Sequence, residues 1–251
     1  MPRILKKTEI DQFHGLGYLR IDGFFYPNEV KAMSDAALRI KDKIELLRLV
    51  GERKFNGSKV YSKQIVGGEI RIEHVNWCGA MESVLMHYGT EPRLTRLVSS
   101  LLENDEADHL INQIHYKNPG DRMEFPFHQD CMNRRYGTEG WKDVNGRGSY
   151  VAVVAAIDEM TPYNGPLLFS ENPKEYIGEI DKAEQERHRR IAKPVLMNPG
   201  DIIFIGPYLI HGSFANKSKE SRRVLINGFS FPGANLRKFD ISGAGQRISL
   251  I

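Results

Sequence analysis

FPFHQD, Phe125 to Asp130, sets a histidine and a carboxylate two positions apart at the end of a short apolar stretch. Residues i and i+2 of a strand project from one face, so His128 and Asp130 are expected to reach a common point. A third candidate, His211, stands in LIHGSFANKSKESRRV, Leu209 to Val224, and the same segment carries Arg222. Two imidazoles and one carboxylate leave about three open positions on an octahedral ion, the donor set of a non-heme Fe(II) oxygenase. A guanidinium near such an ion suits forked recognition of the far carboxylate of a dicarboxylate.

Taken singly, each fragment has a plainer reading. His128 could be a hydrogen-bonded histidine at a strand end, His211 a loop histidine, and Arg222 half of a surface ion pair. Their order and context favour the joint reading. PGDIIFIG, Pro199 to Gly206, reads as a turn and an apolar strand that deliver the chain to His211. SRRVLINGFSF, Ser221 to Phe231, reads as a strand returning Arg222 toward the same mouth.

With these motifs in place, the chain resembles the phytanoyl-CoA dioxygenase family of Fe(II)- and 2-oxoglutarate-dependent oxygenases. GYLRIDGFFYPNEVKAM resembles the family's first strand and long helix, and INQIHYKNPG, Ile111 to Gly120, the strand before the metal motif. HQD, NGPL (Asn164 to Leu167) and HGSFANKSKESRR complete the match. The resemblance implies His128, Asp130 and His211 as iron ligands, Arg222 as anchor for the distal carboxylate of 2-oxoglutarate, and Gln113 as a further cosubstrate contact. It also implies consumption of O2, release of succinate and CO2, and hydroxylation of an unactivated carbon. Asp130 argues against halogenation, because halogenating relatives lack that carboxylate. After NGPL the family commonly shows Pro-Gly-Ser-His, whereas this chain has LLFSENPKEY, so the family says less about the substrate than about the metal.

Composition bounds the rest. A chain of 251 residues, 41% hydrophobic, can bury one sizeable core, and the expected organisation is a single domain over 1–251. No apolar run approaches the roughly 18 residues of a membrane span, and MPRILKKTEIDQF lacks the apolar centre of a signal peptide. Two cysteines, Cys78 and Cys131, form no framework and fit a reducing, cytoplasmic setting. A net charge of +3, with acids and bases interspersed, argues against a nucleic-acid partner. The oligomeric state is not encoded in any motif.

The organisation reads as a helical N-terminal third followed by a β-rich remainder. Thr8 is a candidate cap for a first helix and Asn28 for a second, whose stripe runs Val30, Met33, Ala37, Ile40, Ile44 and Leu47. A third helix begins near Thr90 and Pro92 and presents Leu94, Leu97, Val98, Leu101 and Leu102. Strands are expected over 109–117, 150–157, 167–169, 195–197, 202–205 and 223–231, with Gly/Pro turns between them. Short strands at such spacing predict a mainly β fold with flanking helices, a double-stranded β-helix of the cupin-like jelly-roll type.

Two long polar stretches remain. Met132 to Ser149 follows the metal motif directly, and its Arg134, Arg135, Tyr136 and Trp141 are candidate substrate contacts; ion pairing with Glu139 or Asp143 is the alternative use of the arginines. Glu171 to Lys193 is strongly charged, partly helical, and either a lid or a solvated insertion. The favoured substrate is a small polar or anionic metabolite. An acyl-CoA hydroxylase of the same family, a cupin-like metalloenzyme without 2-oxoglutarate, and a non-catalytic metal-binding sensor are the competing readings.

Overall fold

Two antiparallel sheets face each other, and the alternation of side chains along their strands explains why. The computed structural model describes residues 3–134, 137–139, 141, 148–170, 178–234 and 246–251. In chain order its elements are α1 (Lys7–Leu16), β1 (Tyr18–Ile21), α2 (Pro27–Leu46), β2 (Gly51–Phe55), β3 (Ser58–Gln64), β4 (Ile70–Asn76), α3 (Ser83–Gly89), α4 (Pro92–Leu102) and β5 (Glu106–Lys117). There follow β6 (Phe125–His128), β7 (Tyr150–Ala156), β8 (Leu167–Phe169), α5 (Lys182–Ile191), β9 (Lys193–Val195), β10 (Ile202–Ile205), β11 (His211–Ser213), β12 (Arg222–Ser230) and β13 (Gln246–Ser249).

The larger sheet runs β1-β10-β7-β12-β5-β4-β3-β2, with β13 also on β5, and the smaller runs β6-β11-β8-β9. This is the jelly-roll architecture expected from the strand pattern. Central strands are apolar on both faces because both faces are covered. On β7, Val151, Val153 and Ala155 join the core beneath the helices, while Ala152, Val154 and Ala156 join the core between the sheets. On β10, Ile202 and Phe204 take the first side, Ile203 and Ile205 the second. A third small cluster, Phe127, Leu168 and Ile210, lies where α5 packs against the smaller sheet.

The helices close the outer face of the larger sheet. Met33, Ala37, Ile40 and Ile44 of α2 are buried, as the stripe requires, but Leu47 is exposed because the helix ends at Leu46. All five apolar residues expected on the third helix are buried, on α4. The caps differ from expectation. Helix α1 starts two residues earlier than Thr8 implies, with Lys6 as cap and Glu9 accepting its backbone N–H at 2.8 Å. Tyr26, not Asn28, caps α2; Pro27 fits the first turn, where no N–H is needed, and Glu29 accepts the Tyr26 N–H at 2.7 Å.

The helical reading of the N-terminal third is corrected by β2, β3 and β4, a meander that extends the larger sheet. Its buried residues alternate at period two: Ser58, Val60 and Ser62, then Ile70 and Ile72. Charged residues on the opposite face conceal the apolar component. The expected strand at 195–197 is shifted, with β9 ending at Val195 and Met197 bridging Met160 instead.

Phe204 is fully buried in the core beneath the helices. Phe204→Ala should cost about 3–5 kcal/mol of folding stability, read as a shift of the denaturant midpoint at constant slope.

Candidate metal centre

The smaller sheet brings together two histidines that are far apart in sequence. β6 and β11 pair antiparallel with His128 opposite His211, and their rings lie 4.3 Å apart. Each Nδ1–H donates to a carbonyl two residues back, His128 to Pro126 at 2.8 Å and His211 to Leu209 at 2.9 Å. These partners assign the tautomer and leave both Nε2 lone pairs free to ligate. Asp130 brings Oδ1 to 3.8 Å from His128 Nε2, and the ligand atoms of all three residues lie within 4.8 Å of one another.

The route to this geometry differs from the expected one in one respect. β6 ends at His128, and Asp130 opens a 3₁₀ turn through Arg134, so the carboxylate arrives by a turn rather than by strand alternation. The turn also buries Cys131, whose thiol is pushed up to about 12, chiefly by burial, as expected for a packed side chain. Burial, reinforced by the neighbouring His128, holds the His211 imidazole down at about 4, in the neutral form that ligates.

These residues face a cavity of about 410 Å³ between the sheets. Its floor is the row Ile111, Ala152, Val154, Ile205, Val224 and Ile226. Arg222 stands at one end of β12, paired with Lys117, whereas Tyr150 pairs with Ser230 at the other. The two cationic groups of the wall, Arg222 and Arg134, therefore sit toward opposite ends.

Arg222 is 2% exposed, donates from Nη2 to the Gly165 carbonyl at 2.7 Å, and has a buried Nε without a hydrogen-bond partner. Burial depresses even this guanidinium, to about 10. Ser213, on the His211 strand, adds a buried hydroxyl that is also unpartnered. Arg223 points the other way, as expected, and forks onto Asp158 at 2.8 and 2.7 Å. Gln113 lines the cavity and meets His115 Nε2 at 3.1 Å.

At the other end Arg134 is 3% exposed. Its guanidinium lies 3.8 Å from the Tyr150 ring centre, donates to the Tyr150 hydroxyl at 2.7 Å and approaches Asp130 to 3.9 Å. Its Nε and Nη1 have no hydrogen-bond partner. Arg135 and Tyr136 lie outside the described residues, as do Asp143 and Arg237. Trp141 is half-buried near Tyr208, with ring centres 6.1 Å apart, and is absent from the described cavity wall. Sequence reasoning missed Ser213, Tyr150 and the stacked pair Tyr61 and His74, whose rings lie 4.1 Å apart on β3 and β4. Ser213 was accessible, being two residues beyond His211; the pair on the meander was hidden with its strands.

The family profile described as Phytanoyl-CoA dioxygenase (PhyH) matches residues 13–224. No curated protein sequence matches the chain significantly. Among solved structures, EctD from S. alaskensis with bound Fe shares the fold at a TM-score of 0.73 and 18% identity, over 96% of this chain and 82% of that one. AviO1 from Streptomyces viridochromogenes Tue57 gives 0.69 and 18%, over 93% and 98%. The non-heme alpha ketoglutarate dependent carbocyclase SnoK from nogalamycin biosynthesis gives 0.66 and 16%, over 92% and 87%. No helix among the described residues is long and apolar enough to cross a membrane.

Anaerobic titration with Fe(II) should find one tight site per chain. His128→Ala, Asp130→Ala and His211→Ala should each abolish it, and retention of tight binding in any one would remove that residue from the ligand set.

Proposed function

The chain belongs to the phytanoyl-CoA dioxygenase family, and from that premise we propose that its cavity oxidises a small polar or anionic metabolite at an unactivated C–H bond, most simply by hydroxylation. Iron and 2-oxoglutarate are the cofactor and cosubstrate of this class of enzyme. The observation that carries the reading is the His128, Asp130 and His211 cluster opening onto a cavity that has, toward its other end, a buried guanidinium whose Nε is unpartnered.

The residues fit the groups assigned to them. Two neutral imidazoles and one carboxylate suit Fe(II) and leave open positions. The unpartnered Nε of Arg222 and hydroxyl of Ser213 suit a carboxylate that no protein group supplies. When bound, iron and 2-oxoglutarate supply the oxidising power, O2 being consumed as the cosubstrate is decarboxylated to succinate and CO2 and one oxygen passes to the substrate.

The protein's own contribution is placement. The carbonyls of Pro126 and Leu209 hold the Nδ1 protons, so both histidines keep Nε2 toward the cavity. Arg222 fixes the distal end of the cosubstrate, and Ile111, Ala152, Val154 and Ile205 keep the reacting centre dry. Arg134, with two N–H groups to spare, receives an anionic or strongly polar part of the substrate. No general base is required. A cavity of about 410 Å³ is near the lower end for ligand pockets and has to hold both cosubstrate and substrate, which favours a compact molecule over a long thioester. Its described wall offers Arg134 and Arg222 as cations, and no basic cluster for the phosphates of coenzyme A.

Arg222→Ala should raise the KM for 2-oxoglutarate by an amount equivalent to about 2–5 kcal/mol while iron still binds, and Arg223→Ala should cost stability instead. A larger KM effect from Arg223→Ala would put the register in error by one residue. For the substrate, acyl-CoAs and their free small-molecule counterparts compete in one assay, with succinate and oxidised product both quantified. The small molecules should be oxidised, and Arg134→Ala should uncouple succinate formation from product. Efficient CoA-dependent oxidation of a long-chain thioester would overturn the substrate assignment. Absence of 2-oxoglutarate turnover with every candidate would instead favour a metal-binding sensor.

A further inference from the structure

β6 is an edge strand of the smaller sheet, four residues long, and it pairs with β11. The pairing is short and irregular, with His128 opposite His211, Phe125 opposite Ser213, and a register shift between them. Pro126 has no N–H to give, which suits an edge position. This loosely tied strand carries His128 and delivers Asp130. An edge strand also leaves backbone donors and acceptors on its outer side.

Helix α5 covers that side. The Gln185 side chain accepts from the Phe127 N–H through Oε1 at 2.9 Å and donates from Nε2 to the Phe127 carbonyl at 2.7 Å. A side-chain amide offers a donor and an acceptor as a peptide does, so it completes the ladder here in the manner of a neighbouring strand. Flanking residues seat the helix. Arg189 pairs with Glu124 at 2.9 Å and lies 4.9 Å over the Phe214 ring, while His188 Nδ1 is 2.7 Å from the Ser170 hydroxyl.

The bonds at Phe127 lead on to the histidine. The N–H that Gln185 receives belongs to the same peptide unit as the Pro126 carbonyl, and that carbonyl accepts the His128 Nδ1–H at 2.8 Å. A peptide hydrogen-bonded at its N–H is polarised and becomes a better acceptor at its carbonyl. His211 makes the same kind of bond, to Leu209, but its strand lies between β6 and β8 and is held from both sides.

We propose that Gln185 is a positioning residue for the metal centre. It acts through the Pro126–Phe127 peptide to hold the His128 ring and its Nδ1–H tautomer, so that Nε2 is presented to the cavity. The inference rests on the reading of His128 as a metal ligand. The charged excursion between β8 and β9 thereby gains a task in the chemistry, carried out from outside the sheet and without touching the cavity.

Two variants separate this role from simple docking of the helix. Gln185→Met keeps the length of the side chain and removes both bonds at Phe127; Arg189→Met loosens α5 at its contact with Glu124 and leaves the relay. In anaerobic titrations Gln185→Met should weaken the Fe(II) Kd by roughly tenfold, whereas Arg189→Met should change it by less than about twofold, even if the two lower the thermal midpoint equally. In the metal-free protein, imidazole nitrogen NMR of the neutral ring should show His128 as the Nδ1–H tautomer in the wild type and Arg189→Met, and as a mixture in Gln185→Met. Equal losses of affinity in both variants, with the wild-type tautomer kept, would overturn the proposal and leave α5 a structural brace. An unchanged Kd in folded Gln185→Met, beside abolished binding in His128→Ala, would remove Gln185 and leave the ligand reading intact. Unchanged binding in His128→Ala would remove both. Should Gln185→Met not fold, amide hydrogen exchange in the metal-free wild type decides. The Phe127 N–H should be protected, and exchange as fast as that of an exposed edge amide would overturn the proposal.

Discussion

The pairing of β6 with β11, His128 opposite His211, is the constraint on which the rest of the site depends. Because side chains alternate along a strand, this register decides that both imidazoles leave the smaller sheet on its inner face; a slip of one residue would send one of them outward. Everything else follows around that pair. The turn after His128 swings Asp130 in, the alternation of β11 places Ser213 on the same side, and the facing sheet supplies the apolar floor and Arg222.

The cavity is organised by charge as much as by shape. One end gathers the Asp130 carboxylate and the His128 and His211 imidazoles, with Arg134 close behind and stacked on Tyr150. Its distal end buries Arg222 beside Lys117 with no acidic partner among the described residues. Burying a cation without a counter-ion is costly. Arg223, next in sequence, shows the contrast: it has a forked partner in Asp158 and contributes to holding α2 against the sheet through Ser34. One strand thus carries adjacent arginines with opposite tasks, separated only by the alternation of its two faces.

The sequence made the jelly roll legible where strands are apolar on both sides, as in YVAVVAA and IIFI, and where turns are marked by glycine and proline. It hid the β2–β4 meander because one face of GERKF, SKVYSKQ and IRIEHVN is charged and solvated, so only a weak period-two signal survives. The clustering of His128, Asp130 and His211 was readable from residue type and order, although Asp130 reaches its place by a 3₁₀ turn that strand alternation does not describe. The place of Arg222 in the cavity wall was readable because it follows the distal histidine into a strand. The burial of Lys117 was not readable, since a lysine at a strand end is ordinarily solvated, whereas here it is 1% exposed and paired across the sheet with Arg222. The rest of the cavity wall was the least legible, because Tyr61, His74 and Tyr150 are brought to it by pairing between distant strands and carry no local motif.

We propose that one cavity holds iron at His128, Asp130 and His211 and the cosubstrate's distal carboxylate at Arg222. A crystal structure of the protein prepared anaerobically with Fe(II) and 2-oxoglutarate tests it most directly. The expected result is a single metal peak bonded to both Nε2 atoms and the Asp130 carboxylate, chelated by the cosubstrate, whose far carboxylate forks onto Arg222. Metal bound elsewhere, or a dicarboxylate seated on Arg134 with Arg222 left untouched, would contradict the account.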